Sequence, residues 1–274
     1  MIIAVLVILI FYIILCISFY FFQHFFFFRP EILTSEFTYK YPFPFEELNF
    51  KMEDGGNINA IHFKVPNSRG VIYYLKGNSR SIKGWGKFAK DFLSNGYDFF
   101  MMDYRGFGKS HGKRTQTKLF DDAQFLYKWL SSRYIDGRII LFGRSFGSGI
   151  AARIASWNNP SMLILDSPYL SFLYNTQRFG FFLPIKWLIR YDMRTDQYLN
   201  GVNCPIHIVH GTKDRLISYK QSEQLKALFP EKIELHKIEG AHHNDMPTYP
   251  EYYELLYKIL YFTPTTTHHH EKED

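Results

Sequence analysis

Three residue types needed for nucleophilic acyl transfer occur in this chain shortly after apolar segments. Ser145 lies in "LFGRSFGSG", flanked by Gly143 and Gly147, directly after the apolar run "RIILF". Asp214 ends "VHGTKD" and His243 lies in "EGAHHND", each after a further apolar run. A serine hydroxyl is a poor nucleophile unless a base removes its proton and an acid orients that base. These three residues are therefore candidates for a Ser-His-Asp triad.

The pentapeptide G-x-S-x-G is weak evidence by itself, because ordinary Gly and Ser usage produces it by chance in roughly one chain in ten of this length. Its context adds more. The apolar run before Ser145 predicts a buried strand, and Ile150, Ile154 and Trp157 after it repeat at helical spacing. A serine at such a tight strand-to-helix turn requires small neighbours, and the helix start supplies N–H groups for a developing oxyanion. The turn lacks the G-x-G-x-x-G and GK[ST] patterns of phosphate-binding loops.

The elements that must position these residues follow a regular order. The runs "EELNFKM" and "NINAIHFKV" flank residues 54–56 and predict an antiparallel β-hairpin. Residues 118–134 have apolar positions at helical spacing. Six apolar runs without polar alternation predict strands buried on both faces, and these runs begin at Gly70, Tyr97, Arg138, Ser161, Pro205 and Lys232. The order predicts an α/β fold with a mostly parallel central sheet, led by the hairpin and covered by helices on both faces.

Ligands of such sheets bind beyond the carboxyl ends of the strands. Ser145, Asp214 and His243 each follow a predicted strand, in the chain order Ser, Asp, His that is typical of α/β-hydrolases. Three matches of residue type and position are much rarer by chance than the pentapeptide alone. The arrangement favours a nucleophilic role for Ser145.

From about Phe45 to Phe262 the chain resembles the α/β-hydrolase fold serine hydrolases. It is similar in particular to a small membrane-anchored branch with depalmitoylase-like, lysophospholipase-like and serine aminopeptidase-like members. The motifs that carry the resemblance are "DYRGFGKSHG", "GRSFGSG", "HGTKD" and "GAHHND". Because the last motif is usually G-A-G-H-N-D in that branch, the resemblance assigns the catalytic base to His243 and leaves His242 in the place of a glycine.

The resemblance also implies an oxyanion loop after the third strand, often H-G-N in the family. This chain has Lys76, Gly77 and Asn78 there, so the usual histidine is missing. The hole would consist of the backbone N–H groups of Asn78 and Phe146, which the change to lysine leaves in place. Asp166 also ends a strand and is an alternative to Asp214 as the acid.

The remaining polar groups are expected to have structural roles. Asp103 and Arg105 should stabilise their own loop. The sequence has no zinc-ligand spacing and no basic–aromatic alternation, so we expect no metal, no other cofactor and no nucleic-acid partner. Seven histidines are given no catalytic or metal-binding role: His62, His207, His210, His236, His268, His269 and His270.

Residues 1–22 contain neither a charge nor a proline, and about 20 apolar residues in a helix match the hydrocarbon thickness of a bilayer. A basic start and a small-residue cleavage site, which a secretory signal needs, are lacking. We expect a transmembrane anchor at 1–28, a linker at 29–44, the hydrolase domain at 45–262 and a polar tail at 263–274. The positive-inside rule weakly favours a cytoplasmic domain, and the cysteine usage decides no compartment.

The net charge of +6 lies entirely after this apolar segment. A basic domain tethered to a membrane would be attracted to anionic lipid headgroups. About forty residues separate Asp166 from Cys204, too few for a large lid. This insertion mixes apolar and basic residues, as expected for a segment that lies against lipid or lines an apolar channel; packing of a short core helix is the alternative. Its apolar residues are Phe179, Phe181, Phe182, Leu183, Trp187 and Leu188.

The sequence therefore predicts a membrane-anchored serine hydrolase that cleaves an acyl ester or thioester, in a lipid or an S-acylated protein, through an acyl-enzyme. An aminopeptidase-like hydrolase is one alternative, and it would need an acidic pocket for the substrate amine. A hydrolase-like binding protein without catalysis is the other.

Overall fold

The computed structural model describes residues 1–134, 138–177 and 182–261. Phe179, Phe181 and the tail with its three histidines lie outside these ranges. The described chain contains one eight-stranded sheet. Its strands are β1 (Phe45–Lys51), β2 (Asn57–Phe63), β3 (Val71–Leu75), β4 (Asp98–Met102), β5 (Ile139–Arg144), β6 (Met162–Asp166), β7 (Ile206–Gly211) and β8 (Ile233–Ile238).

The strand order in the sheet is β1-β2-β4-β3-β5-β6-β7-β8. Strands β1 and β2 pair antiparallel as a hairpin from Phe45↔Phe63 to Lys51↔Asn57, and β2 pairs antiparallel with β4. All later neighbours pair in parallel. The predicted fold class, a mostly parallel sheet led by an antiparallel hairpin, is confirmed.

Helices cover both faces of the sheet, as the unalternating strand sequences predict. The helices are α1 (Ile2–Phe27), α2 (Ile82–Trp85), α3 (Ala89–Leu93), α4 (Gln116–Ser131), α5 (Phe146–Trp157), α6 (Phe172–Gln177), α7 (Ile185–Leu188), α8 (Thr195–Tyr198), α9 (Lys220–Leu228) and α10 (Pro250–Tyr261). In β3, Val71, Tyr73 and Leu75 pack into one apolar cluster with α4 and α5, whereas Ile72 and Tyr74 pack into the other cluster with α2, α3 and α10. Short 3-10 turns occupy Gly86–Phe88, Leu199–Gly201 and Met246–Thr248.

Helix α4 begins two residues before the position that its apolar spacing indicates. The side chain of Thr115 accepts a hydrogen bond from the N–H of Lys118 (3.2 Å), and the helix starts at Gln116. A threonine in this position satisfies one of the N–H groups that have no acceptor in the first turn. The cap, rather than the first apolar residue, therefore determines where the helix begins.

Helix α1 lies outside the two layers. It has 26 residues, and its most apolar 18-residue window has a mean hydropathy of 3.3 and no buried residue. A helix of this length measures about 39 Å, which exceeds the ~30 Å hydrocarbon core of a bilayer. By length and composition α1 can therefore cross a membrane.

The stretch 29–44 after α1 has little regular structure but lies against the domain. A backbone bridge joins Arg29 to Ser79. Tyr39 is buried, and its hydroxyl donates to Oδ1 of Asn59 (2.9 Å). These contacts hold the end of α1 next to the loop that follows β3.

Candidate active site

Ser145 occupies the sharp turn between β5 and α5. Its φ of +51° and ψ of −117° lie in a region that residues with side chains rarely adopt. Two glycines permit the turn: a Cβ at Gly143 would overlap Ala151, and a Cβ at Gly147 would overlap the carbonyl group of Leu75. The strained turn places the Ser145 hydroxyl at the carboxyl end of the sheet.

The structure brings the three predicted residues together. Nε2 of His243 lies 2.9 Å from Oγ of Ser145, and Nδ1 of His243 lies 2.6 Å from Oδ2 of Asp214. An ionised carboxylate only accepts hydrogen bonds, so Nδ1 carries the proton and Nε2 is free to accept one from the serine hydroxyl. All three side chains are largely buried, with 7–8% of each residue exposed. The geometry is that of a nucleophile, a base and an orienting acid.

The carboxylate of Asp214 accepts hydrogen bonds from four groups. Oδ1 accepts from the N–H groups of Leu216 (2.8 Å) and Ile217 (2.9 Å), and Oδ2 lies near His210 (3.2 Å) as well as His243. Burial alone would raise the pKa of Asp214, but the hydrogen bonds from His210 and His243 outweigh it and hold that pKa well below its usual range. The group is therefore a charged acceptor at neutral pH.

His210, to which the sequence assigns no special role, supports this carboxylate. Its Nε2 faces two acceptors, Oδ2 of Asp214 (3.2 Å) and the carbonyl oxygen of Ile217 (2.9 Å), so Nε2 must be protonated. Nδ1 then accepts from the hydroxyl of Ser222 (2.6 Å). His210 is fully buried. The sequence signal is the spacing H-G-x-x-D, which places a histidine at the end of β7 four residues before the acid.

The two alternative residues of the triad lie elsewhere. His242 is exposed, while its neighbour His243 is buried. Oδ2 of Asp166 accepts from the hydroxyl of Tyr252 (3.0 Å), and Oδ1 lies 3.7 Å from Nε of Arg144. Arg144 also donates to the backbone oxygen of His243 (3.3 Å). Asp166 is thus linked to the base through the arginine that holds the backbone of its loop.

Lys76 points away from the candidate oxyanion loop. Its ammonium group lies 3.3 Å from Oδ1 of Asp103 and 3.9 Å from the ring centre of Phe107. The side chains of Lys76 and Asp103 are fully buried. Burial lowers the pKa of Lys76 to about 8, although the charge of Asp103 acts to raise it. Burial raises the pKa of Asp103 to about 6, although the charge of Lys76 acts to lower it. Asp103 also accepts from the N–H of Ile82 (3.0 Å). The unusual lysine is a partner of Asp103, so its side chain lies outside the space in front of Ser145.

Asn78 and Phe146 line the same cavity as Ser145. Phe146 is the first residue of α5, so its N–H has no acceptor within that helix. The carbonyl oxygen of Asn78 accepts from the N–H of Arg29 (3.0 Å), and the Asn78 side chain donates to the carbonyl oxygen of Phe27. Both backbone positions named for the oxyanion hole therefore border the nucleophile, and one of them is joined to the end of α1.

Arg105 has the structural role expected of it. Its guanidinium donates to both oxygens of Asp54 and both oxygens of Asp122, at 2.6–3.0 Å. Asp54 lies in the β1–β2 turn and Asp122 in α4. The arginine thereby ties its loop to the hairpin and to a helix.

Two strand histidines form an unexpected group. Among the residues that the structure describes, His207, Glu234 and His236 are the one trio whose possible metal-ligating atoms all lie within 4.8 Å of one another. The two imidazoles are 3.1 Å apart (Nδ1 to Nε2), and burial lowers the pKa of each. This group lies on the paired strands β7 and β8.

Several known proteins are similar to this chain. A protein-family model described as "Serine aminopeptidase, S33" matches residues 66–188, which include the turn at Ser145 but end before Asp214. The chain is 27% identical over 194 residues to lysophosphatidylserine lipase ABHD12 of Danio rerio; the match covers 63% of this chain and 51% of the lipase. It therefore spans about half the length of that relative.

A second relative is alpha/beta hydrolase domain-containing protein 17C of Xenopus tropicalis, 27% identical over 222 residues, or 78% of this chain and 69% of the relative. Among solved structures, the Pyrococcus furiosus esterase Pf2001 superimposes with a TM-score of 0.67 at 21% identity, covering 86% of this chain and 97% of the esterase. At this identity the likeness to the esterase shows the fold.

Proposed function

We propose that this chain, which has the fold of the α/β-hydrolases, is a serine hydrolase that cleaves acyl esters or thioesters through an acyl-enzyme on Ser145. The observation that carries the proposal is the hydrogen-bonded chain from Ser145 Oγ through His243 to Asp214, with contacts of 2.9 and 2.6 Å. Such a chain removes the proton that otherwise makes a serine a poor nucleophile.

In the proposed reaction, Oγ of Ser145 attacks the acyl carbonyl carbon while Nε2 of His243 takes the hydroxyl proton. The carbonyl oxygen becomes an oxyanion that the N–H groups of Phe146 and Asn78 stabilise. The intermediate collapses, the bond to the alcohol or thiol breaks, and His243 protonates that leaving group. Water, deprotonated by His243, then attacks the acyl-enzyme and releases a carboxylic acid and the free serine.

The cavity supports an acyl substrate. It has a volume of about 530 Å³ and a mostly apolar lining that includes Ser145. The relative from Danio rerio is by its name a lipase. We extend this hydrolysis of acyl bonds to the present chain, with acyl lipids or S-acylated proteins as substrates. In this proposal α1 is a single-pass anchor, and the substrates lie in the same bilayer. The cytoplasmic orientation stays a prediction, which protease protection of sealed vesicles would test.

The description of the family model favours a second candidate, an aminopeptidase. A free substrate amine needs a carboxylate near the scissile bond. Among the described residues that line the cavity there is no Asp or Glu, and the one charged side chain is Arg29. This lining favours the acyl ester over the peptide with a free amino terminus.

A fluorophosphonate probe tests the proposed nucleophile in the full chain. We expect covalent labelling of the wild type and of Ser132→Ala, a change at an exposed serine after α4, and no labelling of Ser145→Ala. Before labelling, the wild type should release fatty acid from acylglycerols or from an S-acyl peptide, but no amino acid from an aminoacyl amide. Unlabelled wild type of native fold, or a labelled Ser145→Ala, would contradict the assignment.

A further inference from the structure

Helix α1 contributes directly to the cavity in front of Ser145. Five of its residues line this cavity together with Ser145: Leu15, Ser18, Phe19, Phe26 and Phe27. The spacing of three, four and seven residues places Leu15, Ser18, Phe19 and Phe26 on one helix face. We call these four residues the acyl wall. The segment usually regarded as a tether is thus part of the boundary of the site.

The position of α1 is fixed by polar contacts as well as by packing. Gln23 is 1% exposed; its side chain donates to the carbonyl oxygen of Leu188 (2.9 Å) and accepts from the N–H of Arg190 (2.8 Å). Nearer the N-terminal end of the helix, the hydroxyl of Tyr12 donates to the carbonyl oxygen of Phe182 (3.1 Å). A polar side chain in an apolar helix is costly unless it is hydrogen-bonded. These bonds give α1 one orientation against the insertion after β6.

The end of α1 is also joined to the nucleophile turn and the candidate oxyanion loop. The ring of Phe28 packs edge-on against Phe146, the residue after the nucleophile, at 5.0 Å between ring centres. The N–H of Arg29 donates to the carbonyl oxygen of Asn78, and the N–H of Arg80 donates to that of Arg29 (2.8 Å). The acyl wall is therefore held at a set position relative to Ser145.

Part of the cavity lining is exposed. Phe26 of α1, Phe182 of the insertion and Leu216 are 69%, 56% and 47% exposed, whereas Tyr169 is 1% exposed. Leu15 lies about 18 Å along the helix from Phe27, close to the ~15 Å depth of one leaflet of a ~30 Å hydrocarbon core. An acyl chain along this part of α1 therefore covers about the depth of one leaflet.

We propose that α1 is one wall of the substrate site, and that the substrate is a long-chain acyl ester or thioester whose chain enters sideways from the leaflet and lies against Leu15, Ser18, Phe19 and Phe26. This proposal rests on the serine hydrolase chemistry proposed above and adds the substrate class to it. The reacting carbonyl reaches Ser145 while the chain stays in an apolar environment, so extraction of the chain into water is avoided.

Chain-length selectivity tests the proposal in the full chain reconstituted in phosphatidylcholine vesicles. The measured quantity is the ratio of kcat/KM for a hexadecanoyl ester over a butanoyl ester of the same alcohol. Ser18→Trp should lower this ratio about tenfold, since the indole displaces roughly two methylenes from the wall. Ile14→Trp is the matched control, because Ile14 is 58% exposed and does not line the cavity; its ratio should equal that of the wild type.

An unchanged ratio in Ser18→Trp, or an equal fall in Ile14→Trp, would overturn the inference while leaving the hydrolase standing. Failure of the proposed function would give a different result. The wild type would then not hydrolyse the butanoyl ester, or Ser145→Ala would hydrolyse it as fast as the wild type does.

A second measurement uses the unmodified sequence, so it does not depend on how a variant folds. A long-chain alkyl fluorophosphonate with a diazirine at the chain end would label Ser145, and irradiation should then cross-link the chain end to a peptide of α1. Cross-links confined to helices on the sheet faces would overturn the proposal. Absence of labelling at Ser145 would instead count against the nucleophile.

Discussion

The catalytic side of the cavity and its acyl wall are built from different parts of the chain and are held by different interactions. On the catalytic side, Ser145, Asp214 and His243 follow strands of one rigid sheet and are joined by short, buried hydrogen bonds. The acyl wall lies on a single helix whose position depends on contacts to an insertion and a loop. Bond making requires exact alignment of a few atoms, whereas binding an acyl chain requires apolar area.

This difference predicts separate kinetic consequences. Changes on the catalytic side should lower turnover of every substrate, because they act on the transition state. Changes in the acyl wall should alter the preference between long and short chains, because they act on binding of the chain. The predictions below test that separation, from the largest expected effect to the smallest.

The largest effect is expected from the acid. Asp214→Asn should lower kcat about 10⁴-fold for long and short esters alike, because an amide stabilises the wrong tautomer of His243. Asp166→Asn is the matched control and should cost about tenfold or less, since Asp166 contacts Arg144 and Tyr252 rather than the base. Steady-state kinetics of both variants decide the point. A larger loss in Asp166→Asn would transfer the role of acid to that residue.

A smaller loss is expected at His210, a positioning residue that acts through Asp214. Removing one of the four donors to this carboxylate in His210→Phe should lower kcat about tenfold for both chain lengths, with KM nearly unchanged. His210→Gln should recover part of the loss, since its amide can donate to Asp214 and accept from Ser222. If Phe and Gln variants lose activity in parallel with their melting temperatures, His210 has only a structural role.

The smallest effect concerns the docking of α1. Gln23→Leu removes the hydrogen bonds to Leu188 and Arg190 and should lower the long-to-short ratio of kcat/KM about fivefold, while butanoyl turnover changes less. Phe22→Leu, at the exposed neighbouring position, should keep the wild-type ratio. Equal loss with both esters in Gln23→Leu would mean that α1 supports the catalytic side as well, through its contact with Asn78, and the separation of the two regions would fail.

The sequence by itself determined the order of strands and helices, the antiparallel hairpin and the positions of Ser145, Asp214 and His243 after strands. Each of these follows from local information: apolar periodicity, a turn flanked by glycines and the rule that sites lie at the carboxyl ends of parallel strands. The choice of His243 over His242 as the base followed from aligning one short motif.

Only the tertiary structure decided which distant residues meet. The pairing of Lys76 with Asp103, the support of Asp214 by His210, the trio at His207 and the contact of α1 with the loop at Asn78 all depend on packing. Long-range contacts depend on strand register and on the buried surfaces that helices share, and single-sequence periodicity contains neither. For this reason an apolar helix that composition identifies only as able to cross a membrane becomes, in the folded chain, one side of the cavity at Ser145.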